Sequence, residues 1–252
     1  MHDEAEDELW LSLFPGGTPS RESKSLQSRV VAMCSDPTDR LGSSSCAGPR
    51  QSHATAGWFK GNFSAALLAG GRSIRMGRDK AQIPVSWQGA TVPLRIRQLR
   101  VLESLEPKEL FYSGPAQMDD LYDAKIVVDE WSDAGPLNGI ASCLKQTTTH
   151  LLLCLAVDAA RVQASILLKL LGKCQTGQGV VPRIGEQYEP LVAVYPRRSL
   201  RLAINQIEEG QLRLQDFVRR LLNEHLIIEY SVSDDEIPLF ANWNTPEDVA
   251  PE

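Results

Sequence analysis

Apolar and polar positions along residues 62–252 follow two alternating patterns, and together they predict an α/β domain. Short continuous apolar runs are typical of strands that are buried on both faces of a parallel sheet. They occur at residues 63–69, 109–112, 125–128, 150–157, 180–184, 191–195 and 226–230. Apolar residues at helical spacing separate most of them, at residues 93–105, 136–145, 166–171, 200–207 and 214–222. The order predicts a mostly parallel sheet with helices packed on it.

Residues 1–61 show neither pattern. They contain ten serines, six glycines and four prolines. Such a segment cannot bury enough apolar surface to offset the entropy lost when its backbone becomes ordered. With 252 residues and 42% hydrophobic content, the chain is long enough for one sizeable core. We therefore predict a disordered extension over residues 1–61 and a single domain over residues 62–252.

The first predicted strand ends at Gly70 and Gly71, and a loop with a third glycine and three cations follows. The cations are Arg72, Arg75 and Lys80. Glycines let backbone N–H groups approach phosphate oxygens, and cations neutralise phosphate charge. The spacing matches neither the P-loop nor the G-x-G-x-x-G pattern. We interpret the loop as a phosphate cradle; the alternative is a basic loop that binds nothing.

The most strand-like run, residues 150–157, ends at Asp158. A carboxylate at the carboxyl edge of a parallel sheet is a candidate Mg²⁺ ligand, because Mg²⁺ takes one or two carboxylates together with substrate phosphates. The competing interpretation is that Asp158 caps the helix that follows. Sequence position supports the two equally.

Charge and cysteine content exclude several classes of protein. The chain has 26 basic and 32 acidic residues and a net charge of −6, which argues against extensive non-specific binding of nucleic acid. No apolar run approaches the ~20 residues of a membrane span. The acidic start lacks a basic segment followed by an apolar core, so we expect no secretory signal. Five cysteines without a C-x-x-C pair are typical of reduced thiols. We expect a cytoplasmic protein.

Four motifs, in order along the chain, resemble those of the MobA-like nucleotidyltransferases related to molybdenum cofactor guanylyltransferase. The first is Leu68-Ala69-Gly70-Gly71 with Arg75-Met76-Gly77 and Asp79-Lys80; the others are Asp129 with Gly135-Pro136-Leu137-Asn138-Gly139, Asp158, and Asn242-Trp243-Asn244-Thr245-Pro246-Glu247. The resemblance extends from residue 63 to the carboxyl end. It implies a three-layer, Rossmann-like nucleotidyltransferase fold with a mostly parallel central sheet.

The resemblance also implies a role for each matching residue. Leu68, Ala69 and Gly70 would contact the nucleotide, with Gly71 and Arg75 near its phosphates. Lys80 would neutralise phosphate charge, Asp129 would help to bind the guanine nucleotide, and Asp158 would hold Mg²⁺ and the triphosphate. A looser inference places Pro190, Arg213, Asn242 and Asn244 on the pterin side. Lys80, Arg75 and Asp158 are thus the expected catalytic residues.

The implied reaction transfers GMP from GTP to molybdenum-molybdopterin, with release of pyrophosphate. Cofactor-inserting proteins and acceptor molybdoenzymes are the implied partners, with neither nucleic acid nor membrane involved. Two alternatives stay open: a related nucleotidyltransferase that uses CTP or a sugar or alcohol phosphate, and a non-catalytic nucleotide-binding regulatory protein.

The chain departs from the family pattern at three places. Ala159 and Ala160 follow Asp158 where the family usually continues to a proline. Ser113 and Gly114 stand where an asparagine often serves the nucleotide. Asn138 replaces the small residue common in Gly-Pro-Leu-x-Gly. These departures bear on how Asp158 is aimed and on base preference, but they remove no charged group that the chemistry requires.

Overall fold

The computed structural model describes residues 61–70, 79–114, 123–131 and 135–243. Within these ranges the chain forms ten strands and five α-helices. The strands are β1 (Ser64–Leu68), β2 (Pro84–Trp87), β3 (Ala90–Pro93), β4 (Glu109–Ser113), β5 (Lys125–Val127), β6 (Leu151–Ala156), β7 (Gly179–Ile184), β8 (Gln187–Tyr188), β9 (Val192–Pro196) and β10 (Ile227–Ser231). The helices are α1 (Leu94–Glu103), α2 (Gly135–Gln146), α3 (Ala164–Lys173), α4 (Leu200–Glu208) and α5 (Leu214–Asn223).

The central sheet has the strand order β10-β7-β9-β6-β1-β4-β5, with β8 paired to β7. Neighbours along this order are parallel except for β9, which is antiparallel to both β6 and β7. The short connection 185–191 cannot hold a crossover helix, so β9 has to return antiparallel. The prediction of a mostly parallel α/β sheet is confirmed, whereas the β2–β3 hairpin and β8 were not anticipated.

Helices cover both faces of this sheet, which gives three layers. Alternate side chains of β1 are buried on opposite faces: Ala65 and Leu67 on one, Ala66 and Leu68 on the other. Helices α1 and α3 pack against the face that contains Ala65 and Leu67, and α2, α4 and α5 pack against the opposite face. Because β1 is covered on both faces, all its side chains are buried, which explains its apolar run. Full burial of one leucine side chain contributes roughly 1.5–3 kcal/mol to the stability of the fold.

Three cysteines lie in the described part of the chain, and all three are free thiols: Cys143, Cys154 and Cys174. Burial, followed by the charge of Asp129, raises the pKa of Cys143 to about 12, and burial also raises that of Cys174 to about 12. Thiols with such pKa values are unreactive. Within the described ranges, no helix is both long and apolar enough to cross a membrane.

The segment after β10 is fastened to the domain by Glu236. This carboxylate accepts hydrogen bonds from Lys169 Nζ at 2.6 Å, Tyr230 Oη at 2.5 Å and Ser233 Oγ at 2.9 Å. Burial alone would raise the pKa of Glu236, but these hydrogen bonds outweigh burial and lower it to about 2. The contacts fix the residues that lead to Asn242.

This cluster makes stability depend on acid pH. Because the pKa of Glu236 is depressed in the folded state, its contribution is complete above the unfolded pKa of about 4.5 and is lost as the pH falls towards about 2. We expect Glu236→Gln to remove about 1–2 kcal/mol of unfolding free energy near neutral pH and to flatten the decline in Tm below about pH 5. Glu103→Gln breaks only an exposed pair with Arg100 and serves as the control. Identical pH profiles for Glu236→Gln and the wild type would contradict the assignment.

Candidate active site

The carboxyl ends of three adjacent strands are aligned around residues 68–70. Ala69 N donates to the Ser113 carbonyl at 2.7 Å, and Val157 N donates to the Leu68 carbonyl at 3.0 Å. The side chains of Leu68 and Ala69 are buried, so a ligand above this edge meets mainly their backbone. Gly70 is exposed there. The residues expected to contact a nucleotide therefore lie where open α/β sheets bind ligands.

Lys80 and Asp158 meet at the same edge. Lys80 Nζ lies 2.9 Å from Asp158 Oδ2, and the two side chains are 16% and 26% exposed. Such a pair keeps a cation and a carboxylate together while leaving part of both accessible to a ligand. Two residues 78 positions apart in sequence, both predicted to be catalytic, are thus brought into direct contact.

The turn that carries Lys80 is held from both sides. Lys80 begins a 3-10 helix (Lys80–Gln82), and Asp79 caps it by accepting a hydrogen bond from Ala81 N at 3.0 Å. Arg95, buried on α1, donates to the Gln82 side chain. These hydrogen bonds fix the backbone position of Lys80.

The interpretation of Asp158 as a helix cap is wrong. Helix α3 starts at Ala164 with Gln163 at its N-cap, so Asp158 lies in a separate turn. The fully buried Gln98 on α1 donates from Nε2 to the Ala159 carbonyl at 2.8 Å. A buried, well-paired amide can fix a turn that lacks the family's proline. The turn that holds Asp158 is therefore fixed even with Ala160 in place of the proline.

The carboxyl-terminal segment reaches this turn. Trp243 N donates to the Asp158 carbonyl at 2.9 Å, which places the exposed Asn242 next to the Asp158 turn. Pro190 is buried just before β9, and Arg213 is exposed at the amino end of α5. Gly71, Arg75 and Asn244 lie outside the described residues.

Glu189 is a second acidic residue at this edge that sequence reasoning missed. The β6–β9 ladder continues with a hydrogen bond from Ala156 N to the Leu191 carbonyl, 2.8 Å long, so the residues before β9 approach the Asp158 turn. Burial, and then the charge of Asp158, raise the pKa of Glu189. The only available signal was a glutamate directly before an apolar run, which is too common to be informative.

Asp129 lies on the other side of residues 68–70. Ser113 Oγ donates to Asp129 Oδ1 at 3.4 Å, and a methyl group on Gly70 would lie 4.0 Å from Asp129 Oδ2. Partial burial raises the pKa of the Asp129 carboxyl, while the Ser113 hydrogen bond opposes that shift. Gly139 allows this packing, because a Cβ there would come within 2.8 Å of Ser113 Oγ.

The donor set fits a divalent cation that is shared with a substrate. Among the described residues, no group of three or more histidine, cysteine, aspartate or glutamate side chains could hold a metal ion by itself. Asp158 alone, or with Glu189, matches the one or two carboxylates that Mg²⁺ uses when phosphates and water complete its shell.

The carboxyl edge of this mostly parallel sheet thus carries a strand followed by a glycine, a lysine–aspartate pair and a flanking carboxylate. This arrangement is typical of nucleotide-binding α/β proteins. The chain belongs to the MobA-like NTP transferase domain family, whose model matches residues 65–226. The predicted family and the nucleotidyltransferase class are thereby confirmed.

Relatives with similar sequences span most of the domain. A probable molybdenum cofactor guanylyltransferase of Opitutus terrae is 35% identical over 191 residues, covering 74% of this chain and 92% of that protein. A molybdenum cofactor guanylyltransferase of Pseudomonas putida is 33% identical over 186 residues, covering 72% of this chain and 92% of that protein.

Solved structures show the same fold. The molybdopterin-guanine dinucleotide biosynthesis protein A of Archaeoglobus fulgidus aligns with a TM-score of 0.58 at 21% identity, covering 74% of this chain and 94% of that chain. A nucleotidyl transferase of Methanothermobacter aligns with a TM-score of 0.59 at 15% identity, covering 74% of this chain and 93% of that chain. At these identities the likeness concerns the fold.

Proposed function

We propose that this chain transfers GMP from GTP to molybdenum-molybdopterin, forming molybdopterin guanine dinucleotide and pyrophosphate. The observation that carries the proposal is the Lys80–Asp158 pair beside residues 68–70, with the two side chains 2.9 Å apart and partly exposed. Relatives that match over 92% of their length are named as molybdenum cofactor guanylyltransferases, which supports the choice of substrates.

The reaction requires alignment and charge neutralisation more than acid–base chemistry. A terminal phosphate oxygen of molybdopterin forms a bond to the α-phosphorus of GTP, and the bond between that phosphorus and the α–β bridging oxygen breaks. The attacking oxygen is already anionic, so no general base is needed. Lys80 and Arg75 would stabilise charge on the α-phosphoryl oxygens and on the leaving pyrophosphate.

Asp158 is the residue that would hold Mg²⁺ together with the triphosphate. When bound, the ion supplies further neutralisation of phosphate charge. The contact of Asp158 with Lys80 keeps the carboxylate at the edge where the phosphates would lie. Asn242, and Asn244 beyond the described residues, would face the pterin side.

Asp129 would read the base. Guanine presents N1–H and N2–H₂ as adjacent donors on its Watson–Crick edge, whereas adenine and cytosine each present one donor beside an acceptor. An ionised carboxylate can accept from both guanine groups at once, because it offers two acceptor oxygens and no donor. The Asp129 carboxylate, which is only partly buried and lies two residues after β5, has this chemistry.

The test is the binding of GTP, CTP and ATP with Mg²⁺ to the full-length chain by calorimetry, followed by a transfer assay with molybdopterin. We expect preference for GTP, and we expect Asp129→Asn to weaken GTP binding by about 10–100-fold, because the amide replaces one acceptor with a donor. CTP should be less affected. Equal losses for all three nucleotides would contradict base recognition by Asp129.

Other outcomes would redirect the assignment. Preference for CTP would favour a sister enzyme, a possibility raised by Ser113 in place of the family's asparagine. Nucleotide binding without pyrophosphate release with any acceptor would favour a regulatory protein.

We also infer the setting of this activity from the reaction. The partners would be GTP, molybdopterin and the cofactor-inserting proteins or molybdoenzymes that receive the product. We place the protein in the cytoplasm, where thiols such as Cys143 stay reduced.

A further inference from the structure

Two buried side chains on α2, Asn138 and Ser142, hold the turn that contains Asp129. We call residues Asp129, Glu130 and Trp131 the acidic turn. Asn138 Oδ1 accepts a hydrogen bond from Trp131 N at 3.3 Å, and Asn138 Nδ2 donates to the Trp131 carbonyl. Ser142 Oγ accepts from Glu130 N at 3.2 Å and donates to Asn138 Oδ1 at 3.1 Å. The backbone of two consecutive residues is thus bound by side chains of one helix.

These hydrogen bonds depend on the spacing and burial of Asn138 and Ser142. Asn138 and Ser142 are one helical turn apart and therefore share a face of α2. They are 3% and 1% exposed. A buried amide that lost its partners would cost free energy, so the contacts with Trp131 are expected to persist. A small apolar residue at position 138 could make none of them.

The contacts leave Asp129 little freedom. On its amino side, Val127 is the last residue of β5 and is paired with Ser113 of β4. On its carboxyl side, Glu130 and Trp131 are bound to α2. Ser113 Oγ contacts the Asp129 carboxylate itself at 3.4 Å. The backbone of Asp129 is therefore held between a paired strand and a fixed turn, and Ser113 Oγ contacts its carboxylate.

We propose that Asn138, assisted by Ser142, is a positioning residue that sets the base preference of this enzyme by fixing the acidic turn. This inference rests on the proposed function, in which Asp129 reads guanine. Guanine can donate two hydrogen bonds to one carboxylate only if the carboxylate has a fixed orientation. A carboxylate that changes orientation would keep one of the two bonds and lose the other. Loosening the turn should therefore weaken GTP binding more than ATP or CTP binding.

The experiment compares Asn138→Ala, Ser142→Ala and the wild-type full-length chain by calorimetry with the magnesium complexes of GTP, ATP and CTP. Thr149→Ala is the matched control. Thr149 is also buried and hydrogen-bonded, to Ser64 Oγ and the Leu151 carbonyl, but it lies at the opposite end of β1. Thermal unfolding of each variant reports its loss of stability.

We expect Asn138→Ala to weaken GTP binding about tenfold and ATP or CTP binding by less than about twofold. Ser142→Ala should change the ratio in the same direction but less, and it provides the test if Asn138→Ala does not fold. Thr149→Ala should lower Tm without changing the ratio. A uniform loss for all three nucleotides in both α2 variants would overturn the inference, because it would indicate a structural role only.

The nucleotide preference of the wild-type chain distinguishes a failure of the proposed function from a failure of this inference. A wild-type chain that shows no preference for GTP would contradict the assignment of Asp129, and with it the role of Asn138. A wild-type chain that prefers GTP, together with α2 variants that keep the full preference, would contradict the role of Asn138 alone.

Discussion

Lys80→Ala is expected to lower kcat/KM for GMP transfer by roughly 10²–10³-fold, which corresponds to about 2.7–4 kcal/mol of barrier, as in the loss of one oxyanion-site contact. The variant loses the cation that, in the proposed function, would face the phosphates. It also leaves the Asp158 carboxylate, 26% exposed, without its 2.9 Å partner. Because both side chains lie partly exposed at the sheet edge, the fold should be retained. Pyrophosphate release and thermal unfolding measure the two effects separately.

Asp158→Asn provides the complementary variant, since it keeps the shape of the side chain and removes its charge. We expect a loss of transfer as large as that for Lys80→Ala. Residues that act as a unit are not additive, so the double variant should be little worse than either single one. Arg219→Ala breaks an exposed pair with Asp216 on α5 and should turn over normally. Near-normal turnover of Lys80→Ala or Asp158→Asn would overturn the site assignment.

Among the described glycines, Gly179 is the one at which replacement by alanine should destabilise the fold most. A Cβ at this first residue of β7 would lie 1.9 Å from the Val194 carbonyl oxygen and 2.8 Å from the Val194 carbonyl carbon. Both are backbone atoms of the adjacent strand β9, so the clash can be relieved only by separating the two strands. We expect a loss above about 4 kcal/mol of unfolding free energy, or no soluble protein.

Gly172→Ala is its control. Gly172 is exposed on α3, and a Cβ there meets nothing within 4 Å. This variant should be neutral or more stable by about 0.5–1 kcal/mol, because alanine favours helix and restricts the unfolded chain. Denaturant unfolding compares the two. A Gly179→Ala protein as stable as the wild type would mean that β7 and β9 are not packed as described.

The β2–β3 hairpin shows where sequence patterns are weak. Its turn has positive φ at Gln88, 52°, and Gly89, 82°, which is the backbone of a tight hairpin turn. Asparagine or aspartate before the glycine is the usual signal, and glutamine gives little. The two strands also form a separate sheet of their own, so they lack the continuous apolar run of the central strands.

The central strands that are buried on both faces, by contrast, were predictable from sequence because such burial favours apolar side chains at successive positions, as in residues 65–68. The same local logic placed the carboxyl ends of these predicted strands within one residue of the observed ends, and it drew attention to Gly70, Asp129 and Asp158, which follow three of them. Resemblance to a family added their roles.

Which of these strand ends lie side by side was decided by the tertiary structure. Strand order depends on pairing between distant segments, and it brings Lys80 against Asp158 across 78 positions. It also directs the Asn138 amide to the backbone of Trp131 and brings Glu189 towards the Asp158 turn. Periodicity reports only which face of an element is buried, whereas a contact between polar side chains depends on where two elements meet, and no local pattern encodes that.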